Sequence, residues 1–117
     1  MAVLVAVTDS EEGSTALRTA AAEAALRRTD LLVANLRLDP IPADDLPQHV
    51  DVQVVERRPG VEVADHVLDL LDEHPEVGLL VIGMKRRSPV GKLVLGSIAQ
   101  RLLLNAEVPV LAVKAAG

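Results

Sequence analysis

The sequence predicts a doubly wound α/β domain, an open five-stranded parallel sheet in the order 3-2-1-4-5 with the second crossover helix shortened or missing. Three observations carry that prediction. Short apolar runs rich in valine recur at residues 2–7, 31–36, 77–82 and 108–113, the pattern of strands buried on both faces. Residues 50–55 instead alternate Val50, Val52 and Val54 with Asp51 and Gln53, which marks a half-exposed edge strand. Three amphipathic helical stretches separate the runs, and right-handed crossovers then leave few possible strand orders. In such a sheet a ligand binds outside the carboxyl ends of the strands, at the switch point between strands one and four.

Each element has a local reason. After the first strand, Thr8-Asp9-Ser10-Glu11-Glu12 opens a helix that runs to about Arg28. Asp9 with Glu12 reads as a reciprocal cap, and Ser10 is the other N-cap candidate. The inner face of that helix is Leu17, Ala20, Ala21, Ala24 and Ala25, small enough for close approach to a sheet. Pro40, Pro42 and Pro47 forbid a regular helix between the second and third strands, so that crossover is expected to be irregular with at most one short turn. Val63, Val67, Leu70 and Leu71 form the apolar stripe of a helix over residues 61–74. The run at 77–82 is the most hydrophobic and is expected at the centre of the sheet. A last helix begins at Gly96-Ser97, where Ser97 and Gln100 fit an S-x-x-Q capping box, and ends near Asn105.

Composition narrows the function. A chain of 117 residues is one domain with one core, here residues 1–117. It has no Phe, Tyr, Trp or Cys, so the core must be Val, Leu, Ile and Ala. Without aromatic side chains there is no base-stacking platform, and a net charge of -5 argues against nucleic-acid binding. Without cysteine there is no disulfide and no cysteine-ligated zinc. The apolar start MAVLVAV lacks a basic n-region, and no run approaches the ~20 residues that span a bilayer. A soluble cytoplasmic protein with no membrane partner is the expectation.

Residues 83–114, GMKRRSPVGKLVLGSIAQRLLLNAEVPVLAVK, carry the chemistry. A strand ends at Gly83, a basic loop follows with Lys85, Arg86, Arg87 and Lys92, and Gly96-Ser97 opens a helix. That order can hold an anion on the N–H groups of a helix start, with Ile98 joining Gly96 and Ser97. Gly83 is either a tight strand exit or a close backbone approach to a phosphate. Lys85 and Arg86 are either a solvated loop or a phosphate clamp. Residues 88–92, SPVGK, are not a P-loop: Leu93 stands where Ser or Thr is needed, and no glycine lies five residues before Gly91. Asp9 is a helix cap, or, on the reading that a family resemblance implies, it contacts ribose, adenine or a nucleotide-bound metal. Val33 and Asn35 follow the inward and outward alternation of the second strand, and either would border adenine on the reading that a family resemblance implies. His49, His66 and His74 lack ligand spacing and read as solvent-exposed; Asp44-Asp45 reads as a solvated loop. No Ser-His-Asp arrangement is visible, so no catalytic or metal-ligating residue is assigned.

The stretch at 83–114 resembles the C-terminal half of a universal stress protein domain. That family's nucleotide motif is a glycine, two residues, a glycine, nine residues, then Gly-Ser or Gly-Thr; Gly83, Gly96 and Ser97 fall in place, and Arg86 stands at the second glycine. The N-terminal VLVAVTDSEEGSTALRTAAAEA is similar to the family's first strand, acidic loop and first helix. The family's aspartate at the end of that strand falls on Thr8 without a gap, and on Asp9 if one residue is deleted afterwards. The resemblance implies a small single-domain member with a Rossmann-like (adenine nucleotide α-hydrolase-like) fold, cytoplasmic, usually dimeric and produced under stress. It implies ATP, with magnesium accompanying it, held by Thr8, Asp9, Val33, Gly83, Lys85, Arg86, Gly96, Ser97 and Ile98. The triphosphate would lie on the loop after strand four, and the adenine near the first and second strands.

The last strand is an apolar edge, so a homodimer pairing Val108, Val110, Leu111 and Val113 with their copies is expected. The alternatives are a nucleotide-free dimeric interaction module of the same fold and a weak ATP hydrolase. The hydrolase is disfavoured because no general base is visible beside the loop.

Overall fold

The computed structural model describes residues 1–87, 92–94 and 96–115. Its chain order is β1 (Ala2–Val7), α1 (Glu11–Arg27), β2 (Asp30–Asn35), a 3-10 turn (Ala43–Asp45), β3 (Val52–Glu56), α2 (Val63–Glu73), β4 (Val77–Arg87), β5 (Lys92–Val94), α3 (Ser97–Asn105) and β6 (Val110–Lys114). The parallel strands stand in the order β3-β2-β1-β4-β6. This is the expected 3-2-1-4-5 once β5, a short antiparallel arm on the far end of β4, is set aside. The middle strand is β1, whose six residues are all buried, and not the fourth strand.

Each face of the sheet has its own core. On one side α1 lays Ala16, Leu17, Ala20 and Ala24 against Val3, Val5, Leu31, Val33 and Val81. The alanines let the helix lie close, and Arg28 ends it in the left-handed region, φ 53°, with its N–H on the Ala24 and Ala25 carbonyls. On the other side α2 and α3 cover Leu4, Ala6, Leu32, Ala34, Leu80 and Ile82 with Ala64, Val67, Leu70 and Leu102. The proline-rich crossover forms only the 3-10 turn, as expected. Ile41, Leu46 and Val50 from that segment pack on the α1 side, where a second crossover helix would otherwise lie. Arg101 of α3 pairs with Glu62 and Asp65 at the start of α2 and ties the two helices together.

Several boundaries differ from expectation, among them the start of β3, at Val52 instead of Val50. β4 does not stop at Ile82. It continues through Gly83 to Arg87 and folds back by pairing Lys85 with Val94, Arg86 with Leu93 and Arg87 with Lys92. Part of the expected basic loop is therefore a β-hairpin; residues 88–91, including Gly91, and residue 95 lie outside the described residues, as do the side chains of 85–87 and 92–94. β6 begins at Val110 instead of Val108, because Pro109 has no N–H to pair; its carbonyl still accepts from the Leu80 N–H at 3.0 Å. α2 begins at Val63, after the turn at Gly60 (φ 78°).

His66 is a further correction. Expected in solvent, it is fully buried on α2, and neither ring nitrogen has a hydrogen-bond partner among the described residues. The apolar stripe of α2 is wide enough to take in a residue three positions after Val63 and four before Leu70. His74 is half-buried beside Glu76 (3.2 Å), and His49 is exposed.

Candidate functional site

At the carboxyl ends of β1 and β4, where the strand order reverses, the chain leaves a crevice of about 310 Å³. That is at the small end of ligand pockets, which run to about 300–1,000 Å³. Ala6, Leu36, Ile82 and Leu102 give it an apolar wall, and Thr8, Ser10, Glu12, Gly83 and the first turn of α3 give it polar groups. Among the described residues of that lining, Glu12 alone is charged.

The first side is built by the turn after β1. Thr8 Oγ1 and Ser10 Oγ lie 2.7 Å apart in a hydrogen bond, and Ser10 Oγ accepts from the Gly13 N–H at 3.2 Å. Ser10, and not Asp9, is therefore the N-cap of α1. Gly13 is required there: a Cβ would stand 2.8 Å from the Thr8 nitrogen and closer still to its carbonyl oxygen. Using Ser10 as the cap turns Asp9 outward, where it is exposed and 3.6 Å from Arg37 Nε. Of the two positions for the family's aspartate, Thr8 lines the crevice and Asp9 does not.

Gly83 forms the floor between β4 and α1. A Cβ on it would stand 2.7 Å from the Glu12 carbonyl carbon. The strand does not exit at this glycine; the residue is small because the first turn of α1 rests on it.

The opposite side is the start of α3. Gly96 is its N-cap, extended at φ -66° and ψ 164°, with no side-chain cap. Ser97 is thus the first helical residue, and the expected S-x-x-Q box does not form; only the Gln100 N–H reaches back, to the Gly96 carbonyl at 2.9 Å. The Ser97, Ile98 and Ala99 N–H groups precede the first possible intrahelical acceptor and form the positive end of the helix dipole. Among the described residues, a Cβ on Gly96 would meet nothing within 4 Å. With its N–H groups free of intrahelical acceptors, this helix start can take an anion.

The remaining expected residues divide. Val33 is fully buried in the core on the α1 side, so it has no surface to offer adenine. Asn35 is also buried, and its amide holds the chain after β2: Nδ2 donates to the Asp39 carbonyl (3.1 Å) and to Glu56 Oε1 (3.0 Å), and Oδ1 accepts from the Arg37 N–H (3.0 Å). The Lys85 and Arg86 side chains lie outside the described residues. The structure brings Thr8, Gly83, Gly96, Ser97 and Ile98 to one crevice and leaves Asp9 and Val33 out of it. Glu12 was expected only as part of a cap. Its place in the first turn of a helix that starts at the switch point is the signal that could have found it.

Among the described residues no group of three or more His, Asp or Glu side chains is gathered to hold a metal, and no helix is long and apolar enough to cross a membrane. The crevice can seat an anion on backbone N–H groups, offer hydroxyls to a polar ligand and cover an apolar ring face.

The fold and crevice place the chain among doubly wound α/β proteins whose ligand position is the β1/β4 switch point. A model of the universal stress protein family matches residues 42–114, and the chain belongs to that family. A universal stress protein of Mycolicibacterium smegmatis is 55% identical over 58 residues; the match covers 50% of this chain and 44% of that relative, less than half its length. The solved universal stress protein of Archaeoglobus fulgidus superposes with a TM-score of 0.74 at 28% identity, covering 97% of this chain and 98% of its own. A universal stress protein from the same organism, solved in complex with dAMP, shares the fold with a TM-score of 0.70 at 23% identity, over 97% and 98% of the two chains.

Proposed function

We propose that this chain is a cytoplasmic, non-catalytic stress regulator that binds an adenine nucleotide in the β1/β4 crevice. ATP, with magnesium carried on its phosphates, is the ligand typical of the family resemblance. The single observation that carries the proposal is the start of α3 without a side-chain cap, with Gly96 beside the crevice and clear of the other described residues. A phosphate there would accept from the Ser97 and Ile98 N–H groups, as helix starts favour. Thr8 and Ser10 would meet the sugar, and the base would lie against the apolar wall. Gly83 would border the nucleotide, and Lys85 and Arg86 would clamp the further phosphates. Asp9 and Val33 are not part of this site. A family relative solved with dAMP supports the ligand class.

The proposal also includes a homodimer. Among the described residues β6 pairs with β4 alone, leaving an apolar edge at Val110, Leu111 and Val113 for a second copy. Val108 precedes the strand and would flank that interface.

The test uses an unusual property of the chain. It has no Trp, Tyr or Phe, so near-ultraviolet absorbance of purified protein reports what is bound. A nucleotide band that survives desalting, or that reappears after loading with ATP and magnesium followed by desalting, supports the proposal. A chain that stays transparent after loading, and gives no calorimetric heat with ATP or AMP, supports the second reading, a nucleotide-free dimeric module. One observation favours that second reading: Glu12, the one charged residue among the described lining, borders the crevice that an anion would enter.

A further inference from the structure

Helix α2 carries a buried group that neither the sheet nor the crevice uses. His66 has no exposed surface, and both ring nitrogens lack a partner among the described residues. The charged groups acting on it come from two elements: Asp69 and Glu73 of α2 itself, and Arg57 and Arg58 from the turn after β3. Glu73 lies seven residues on, on the same helix face. Its carboxylate is already taken, because both oxygens accept from Arg58 Nη2 at 2.5 and 2.8 Å. Asp69 stands on the exposed side. An imidazolium in this place would carry two buried donors with no acceptor, close to the Arg58 cation.

We propose that His66 makes the seating of α2 on the sheet acid-sensitive: the neutral ring is buried along with Val67 and Leu70 of the same helix, and its protonation releases the helix. Burial first, then Arg58, pushes the folded-state pKa of His66 below its ordinary value. The sign follows from linkage. Above about pH 6.5, the ordinary histidine pKa, both states are neutral and the stabilisation is complete. As the pH falls below that value, the released helix takes up a proton that the seated helix does not. The opening equilibrium then rises by up to about tenfold per pH unit, until the ring titrates in place. The Arg58–Glu73 pair does not confuse this window, because the guanidinium holds the Glu73 carboxyl below the usual carboxylate range.

The experiment uses the full chain with His49→Gln and His74→Gln, which leaves His66 as the single histidine of the three. Amide exchange at Val67 and Leu70, corrected for intrinsic rates, is followed from about pH 7.5 to about pH 5.5, across the ordinary histidine pKa. The expected result is an opening constant that is flat at the upper end and climbs towards tenfold per unit at the lower. Adding His66→Leu should abolish that climb. A flat profile with His66 present, or the same climb with His66→Leu, overturns the proposal. If His66→Leu fails to fold, the imidazole resonance of the single-histidine protein decides. Titration in the folded state clearly below about pH 6.5 supports the proposal, and titration at or above that value overturns it.

Discussion

Gly83 of β4 lies against the backbone of Glu12 in the first turn of α1: a Cβ on the glycine would stand 2.7 Å from the Glu12 carbonyl carbon. The atoms in the way are main-chain atoms of a capped helix, so they cannot swing aside as a side chain would. Gly83→Ala should therefore push α1 off the sheet and cost about 1–3 kcal/mol, the range for overpacking a filled site. Gly96→Ala is the control, because a Cβ there meets nothing within 4 Å among the described residues; it should cost less than about 1 kcal/mol. Urea unfolding of both variants checks the difference, and equal losses would contradict the packing.

Asn35 should be as sensitive as a core leucine, although it is polar. Its buried amide satisfies the Arg37 N–H, the Asp39 carbonyl and Glu56 Oε1 at once. Asn35→Asp keeps the acceptor but turns the donor into a carboxylate facing a carbonyl and another carboxylate. A loss of about 3 kcal/mol is expected, larger than that of Asn35→Ala. Thermal melts of the two variants rank them; the reverse ranking would show that the amide does not hold this chain segment.

The β6 edge makes a separate prediction about assembly. The Pro109 carbonyl faces β4, where it accepts from Leu80. By the two-residue alternation of a strand, the Ala112 N–H then faces the open edge. Ala112→Pro should remove a donor from the proposed intermolecular pairing without touching the β4 ladder. Sedimentation at micromolar concentration should give a dimer for the native chain and a monomer for Ala112→Pro. A native monomer would remove the homodimer from the proposal.

The helix start at α3 predicts a variant that damages binding and not the fold. Proline is favoured at the first helical position, and the extended Gly96 before it suits a following proline. Ser97→Pro should keep stability within about 0.5 kcal/mol while removing one phosphate donor. Nucleotide affinity should fall by about tenfold, as for loss of a charge-assisted hydrogen bond. Unchanged affinity would move the phosphate elsewhere.

The sheet was legible because parallel strands buried on both faces are nearly continuous apolar runs, and the alternation at Val50, Val52 and Val54 marked the edge. The three prolines made the missing crossover helix legible as well. The β4–β5 hairpin was not, because Lys85, Arg86 and Arg87 carry no apolar period, and strand pairing is a main-chain property that such residues also permit. Of the two candidates for the cap of α1 the structure uses Ser10, and the cap of α3 moved by one residue, from Ser97 to Gly96; such a step decides which side chain faces the crevice. His66 escaped because a stripe counted from valines and leucines leaves out a polar residue on its border, and burial depends on what packs against that border.

The most direct measurement of the central claim is a calorimetric titration of ATP with magnesium, and of AMP, into the native chain and into Gly96→Asp. A Cβ there meets nothing within 4 Å among the described residues, and the new carboxylate would cap the helix from the place proposed for the phosphate. It should raise stability by about 0.5–1 kcal/mol. The expected result is binding by the native chain and loss of that binding in the more stable variant. A native chain that gives no heat, or a Gly96→Asp chain that binds as tightly as the native one, would contradict a nucleotide phosphate at the start of α3.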